Sequence, residues 1–146
     1  MEENAENKVK EELNNILSLD KINGVDVHDN MLIVNTELLY AYTERGEMYK
    51  LSTYEISIDL DKGIINFECP KEDRRTSCWG YECMHPHISE IGEACFGNAD
   101  ATIAQLMADL ELFALVTILI NYLESINTKD LAGECCVNWD EVDPNT

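Results

Sequence analysis

Five side chains able to bind a metal or attack an electrophile fall within eighteen residues: Cys78, Cys83, His85, His87 and Cys95. Three chemistries compete for them. Cys-x4-Cys-x-His-x-His offers the sulfur and imidazole ligands of a tetrahedral zinc site, with Cys78, Cys83, His85 and His87 as ligands and Cys69 or Cys95 as a further sulfur. It lacks paired Cys-x2-Cys knuckles. Pro86 stiffens the segment, and in an extended chain His85 and His87 point to opposite sides, so one ion needs a bend there. The second chemistry is nucleophilic. Cys95 lies between Gly92 and Gly97, just upstream of a long apolar segment. A thiol becomes useful where a cation or dipole favours the thiolate, and His85 is the neighbour that could act as base or positioning group. The many carboxylates work against this, because negative charge raises a thiol pKa. The third is structural: free cysteines are among the most buried residues, and spacing alone favours packing for any single one.

The elements that must position these residues follow from periodicity. Val9, Leu13, Ile16 and Leu17 recur at helical spacing and predict a helix over residues 3–19. Val25, Val27 and Met31 to Val34 predict two short strands around a turn at Asp29-Asn30, and Leu38 to Tyr42 reads as a third strand or a helical turn. Tyr54, Ile56, Ile58 and Leu60 alternate with polar residues, the period of a half-buried strand. Asp61-Lys62-Gly63 then predicts a turn, Ile64 to Phe67 the return strand, and Pro70 its end. Lys71 to Asn98 has little periodicity and reads as a long functional loop. A second helix is expected over 100–127, with Asp100 as its cap and an all-round apolar stretch, Leu110 to Leu123, that must lie buried beneath the sheet. Thr128 to Gly133 reads as a turn, Cys135, Cys136, Val137 and Trp139 as a last apolar cluster, and the chain from about residue 140 as an acidic tail. The fold class is α+β in one domain spanning 1–146: N-terminal helix, antiparallel β-meander, long irregular active-site-like loop, long buried C-terminal helix.

Composition narrows the function classes. The 146 residues carry 45% hydrophobic side chains, enough for a real core, and a formal charge of -19. Nucleic-acid binding through phosphates and docking on anionic membranes both need the opposite sign. The charge is a solvated surface or a face for a protein partner with a basic surface. DNA mimicry is the weaker idea, because the carboxylates gather at the two ends and around the hairpin. Met1 to Glu12 lacks the apolar core of a signal peptide, and the longest apolar run, Leu112 to Ile120, is about nine residues against the roughly eighteen a membrane span needs. A cytoplasmic protein is expected, in which the six cysteines are thiols, ligands or nucleophiles rather than disulfides.

One further pattern bears on the loop. His85-Pro86-His87-Ile88 is followed by Gly92 and then by Cys95-Phe96-Gly97-Asn98, ten residues after His85. This resembles the active-site stretch of ubiquitin-conjugating enzymes, where a His-Pro-Asn tripeptide precedes the catalytic cysteine. It is most similar to prokaryotic and phage members of that UBC-like family. The motif covers about fourteen residues, and the order of elements agrees loosely over most of the chain. The resemblance implies that Cys95 forms a thioester with a ubiquitin-like protein, that His85 organises the loop, and that His87 stands where the family has an asparagine linked to oxyanion stabilisation. Asn98 is a spare donor. Arg74 and Arg75 replace a proline-rich run, lying where they could receive an acidic tail or lower a thiol pKa. The departure at His87 tilts this reading toward a non-catalytic protein-interaction module, phage or mobile-element encoded and acting in a host cytoplasm. Conjugation on Cys95 is the first alternative and a small zinc protein the second. No cofactor other than that zinc is expected.

Overall fold

A computed structural model of the chain describes residues 3–76, 80–129 and 139–143. The architecture is mixed α+β, with a helix at the N-terminus, antiparallel sheets and helices toward the C-terminus. Helix α1 (Glu3–Leu17) buries Val9 and Ile16 and packs against the last helix and the first strand. Leu17 does not follow its periodicity: it is 49% exposed. The helix has already tightened there, because Leu19 donates to the Ile16 carbonyl and Ser18 caps the Asn15 carbonyl.

Strands β1 (Ile22–His28) and β2 (Met31–Thr36) are joined by Asp29 and Asn30, whose φ angles are 51° and 63°. Short Asp and Asn side chains tolerate this left-handed backbone best after glycine, and it matches the twist of the strands. Beyond a kink, β2 continues into β3 (Tyr40–Thr43), and the returning β4 (Met48–Lys50) continues into β5 (Glu55–Asp59). Asn35 faces Glu55 and Tyr40 faces Lys50 with no shift of register. Leu39 bridges the kink by donating to Ser52 and accepting from Leu51. The ambiguous segment Leu38 to Tyr42 thus becomes part of one long bent hairpin. Strand β6 (Ile64–Glu68) follows a turn in which Asp59 Oδ1 accepts the N–H groups of Asp61 and Lys62, at 3.0 and 2.9 Å. The first sheet has the order β1-β2-β5-β6.

In the irregular stretch, β7 (Arg75–Thr76) and β8 (Glu82–Cys83) form a two-stranded ribbon. The long second helix is divided into α2 (Asp100–Ala108) and α3 (Leu112–Leu123). Leu110 has φ 53°, its N–H bonds the Met107 carbonyl, and the Glu111 N–H bonds the Leu106 carbonyl. That pair of bonds is a Schellman stop, normally made with glycine. Leucine in that place gives no sequence signal of a break. Asp100 is also not the cap: Ala99 holds that position without a side-chain bond, because a 3-10 turn over Gly97–Ala99 already runs helically into α2. Asp100 instead places its carboxylate in the first turn, where the helix dipole favours it.

Helix α3 buries Leu112, Leu115, Val116, Leu119, Ile120 and Leu123. They share one continuous core with Leu32, Val34, Ile56, Ile58 and Phe67 of the first sheet. Each such burial contributes about 1.5 to 3 kcal/mol. After α3, β9 (Ser125–Ile126) runs parallel to β3, and β10 (Asp140–Val142) pairs antiparallel with β4, giving a second sheet of order β10-β4-β3-β9. The start of the expected acidic tail is therefore a strand on an open edge, with Asp140 paired to Arg75 at 3.3 Å. Among the described residues no helix is long and apolar enough to cross a membrane.

Candidate functional site

The ten-residue interval from His85 to Cys95 is built from two tight turns. Ile88 donates to the His85 carbonyl at 3.1 Å, closing a turn that carries Pro86 at its second position, where proline's fixed φ fits. Gly92 donates to the Ser89 carbonyl at 3.0 Å, closing the second. Ile88 then bridges Ala94, and Ser89 donates to Glu93. Cys95 is the next residue, and its thiol is exposed.

Each flank of the thiol is fixed. On one side the second turn lies against β6: Phe67 donates to the Gly92 carbonyl at 2.9 Å. With its nitrogen turned toward them, the Asn66 amide donates to the carbonyls of Ile91 and Gly92, each at 3.1 Å. Gly92 has φ 86°, and a Cβ there would lie 2.4 Å from the Phe67 carbonyl oxygen. On the other side Phe96 packs edge-on against Tyr122 with ring centroids 4.9 Å apart. The Tyr122 hydroxyl lies 2.7 Å from the His87 carbonyl and 3.2 Å from the Cys95 carbonyl, bridging the two halves of the motif. Tyr122 was not legible as a site residue. The one signal was a phenol near the end of an aliphatic helix, since a buried hydroxyl needs a partner. Tyr122→Phe is expected to cost about 1 kcal/mol and to speed amide exchange across residues 87–96, both measurable by denaturant unfolding and hydrogen exchange.

His85 is fully buried. Its Nε2 lies 2.7 Å from the Leu123 carbonyl, which only accepts, so that nitrogen carries the proton. Its Nδ1 accepts the His87 backbone N–H at 3.0 Å. Burial, set against the bond to Leu123, lowers its pKa to about 3. The ring is neutral, holds the first turn on the end of α3, and has no nitrogen free to take a proton from Cys95. His87 is partly buried, and its Nε2 accepts the N–H of Asn127 at 3.1 Å. That bond ties it to the segment after α3, where Thr128 is held by Glu44 of the long hairpin's tip. Asn98 is exposed in the 3-10 turn three residues past the thiol, and among the described residues its amide has no bonded partner.

The same bonds bear on metal binding. With Nε2 protonated and Nδ1 accepting, His85 has no lone pair for zinc. Among the described residues no three His, Cys, Asp or Glu side chains converge as ligands. Cys83 is buried, and Cys78, the remaining member of that set, lies outside the described residues, as do Cys135 and Cys136. Cys69 is half-buried, and burial raises its pKa despite Ser52 and Arg74 beside it. Arg74 pairs with Glu68 at 2.8 Å and also acts on the Cys69 thiol, lowering its pKa against the larger effect of burial, while Arg75 pairs with Asp140 at the start of the acidic tail.

Compared with protein-family models, curated proteins and solved structures, the chain matches none. Among the described residues the geometry presents one exposed cysteine, on a doubly braced loop directly upstream of a helical turn.

Proposed function

We propose that the chain is a ubiquitin-conjugating-enzyme-like acyl carrier, in which Cys95 accepts the C-terminal acyl group of a ubiquitin-like protein as a thioester. The observation that carries this is the exposure of Cys95 on a loop braced on both flanks. A non-catalytic module, the reading the sequence favours, expects this thiol to be packed inside.

In the reaction the Cys95 thiol first releases its proton to solvent. The thiolate attacks the carbonyl carbon of a donor thioester, and a new C–S bond forms as the carbonyl becomes an oxyanion. The intermediate collapses, the donor C–S bond breaks, and the departing thiolate takes up a proton; nothing is oxidised or reduced. The Asn98 amide is the donor we assign to the oxyanion, because Nε2 of His87 is already engaged by Asn127. The charge of -19 suits a donor or activating partner with a basic surface, since complementary charge speeds encounter.

Incubation with an activating enzyme, nucleotide and a ubiquitin-like protein should give an adduct that reductant removes. Cys95→Ser should abolish that thiol-labile adduct. An adduct of unchanged amount in the variant overturns the proposal.

A further inference from the structure

We infer that the groove beside Cys95 is a docking track for an extended peptide segment that pairs with the open edge of β6 and carries cationic side chains among apolar ones. The groove encloses about 590 Å³ between the β5–β6 turn and α2, and Ala94 and Phe96, the residues flanking Cys95, line it. A segment lying in it leads to the thiol.

Backbone direction supplies the first argument. The Phe67 N–H points away from β5, because it bonds the Gly92 carbonyl. Groups two residues apart on a strand point the same way. The N–H and C=O of Ile65 therefore also point outward, and Ile65 lines the groove. Among the described residues no hydrogen bond engages these outward groups of Ile65. An open strand edge is a template for an added strand.

Side chains supply the second. Ile64 is 56% exposed, and the exposed Ala104 and Ala108 of α2, lying over the buried Ile103 and Met107, form an apolar wall. Asp61, Glu93 and Asp100 face the groove against a single cation, Lys62, and among the described residues none of the four is in an ion pair. An added strand presents alternate side chains to opposite sides: one set meets the apolar wall, the other the carboxylates. Taking this segment to be the tail of the acyl donor rests on the carrier reading above; the docking itself does not.

The test uses the full chain and two fluorescent hexapeptide amides, one alternating valine with lysine and one alternating valine with glutamate. The lysine peptide should bind at least about tenfold more tightly and should slow exchange of the Ile65 amide. Ile65→Pro removes that N–H from an edge where it is not part of the ladder, and should weaken binding about tenfold. The double variant Asp61→Lys with Glu93→Lys should reverse the preference, with circular dichroism confirming that both variants fold. Equal binding of the two peptides, protection of amides elsewhere, or indifference to both variants overturns the inference. Binding should persist in Cys95→Ser. Peptide binding without any Cys95 adduct would remove the carrier reading and leave the track. An adduct without peptide preference would do the reverse.

Discussion

Gly92→Ala is expected to lose about 3 kcal/mol of stability and to release the thiol-bearing loop from β6. Two effects add. A backbone with φ 86° is one that L side chains rarely adopt, a strain of about 1 to 2 kcal/mol. The new Cβ would also lie 2.4 Å from the Phe67 carbonyl oxygen. Backbone cannot yield as a flexible side chain can, so the Phe67–Gly92 bond must open, leaving buried groups unpaired at about 1 to 3 kcal/mol. Gly97→Ala is the control. Its φ of 56° is also left-handed, but nothing lies within 4 Å of the added carbon, so only the strain of about 1 kcal/mol remains. Denaturant unfolding of the two variants measures the difference. Equal losses would show that the turn does not rest on β6.

The second large effect is acid sensitivity from His85. Its folded pKa is about 3, against an ordinary value of 6.5, because burial penalises the charged ring. Between those values the unfolded chain binds a proton that the native state refuses. The stability His85 contributes is therefore complete above pH 6.5 and falls by about 1.4 kcal/mol for each unit below it, levelling off near pH 3. Glu44, held near 2 by the Thr128 hydroxyl, adds a loss in the same direction, but only below its ordinary 4.5. Urea unfolding between pH 6.5 and 5 thus excludes Glu44, and comparison with a variant at position 85 separates His85 from His87, whose Nε2 also accepts a backbone N–H. His85→Gln, whose amide can still donate to the Leu123 carbonyl, should be less stable at neutral pH yet lose most of the slope. An identical slope in both proteins would mean that His85 is not the buried neutral ring described above.

What could be read from the sequence was what local chemistry dictates. Asp29-Asn30 and Asp61-Lys62-Gly63 announce their turns because few residues tolerate those backbones. The alternation from Tyr54 to Leu60 announces a strand with one wet face. Leu110 to Leu123 reads as buried all round, yet only one face of α3 is: Phe113, Ala114, Thr117 and Ile118 are half-buried and Asn121 is exposed. The break at Leu110 was hidden, because a leucine holds the left-handed position that glycine usually marks. The passage of one hairpin through both sheets was hidden too, since it depends on register carried across the kink at Leu39.

The site divides in the same way. The spacing of His85, Gly92 and Cys95 was visible, and two turns of fixed size explain it. The roles of Tyr122 and of the Phe67 edge were not, because they come from elements far along the chain. Nor could spacing say that Arg74 would meet Glu68 and Arg75 would meet Asp140.

The proposed acyl-carrier role rests on the Cys95 thiol. Its most direct test is to expose the native protein to a thioester donor and locate the acyl group by intact mass and peptide mapping. One acyl group is expected, on Cys95, removed by hydroxylamine and missing from Cys95→Ser, with Cys69 and Cys83 unmodified. Acylation on Cys69 or Cys83, or none on native protein whose Cys95 is readily alkylated, would contradict it.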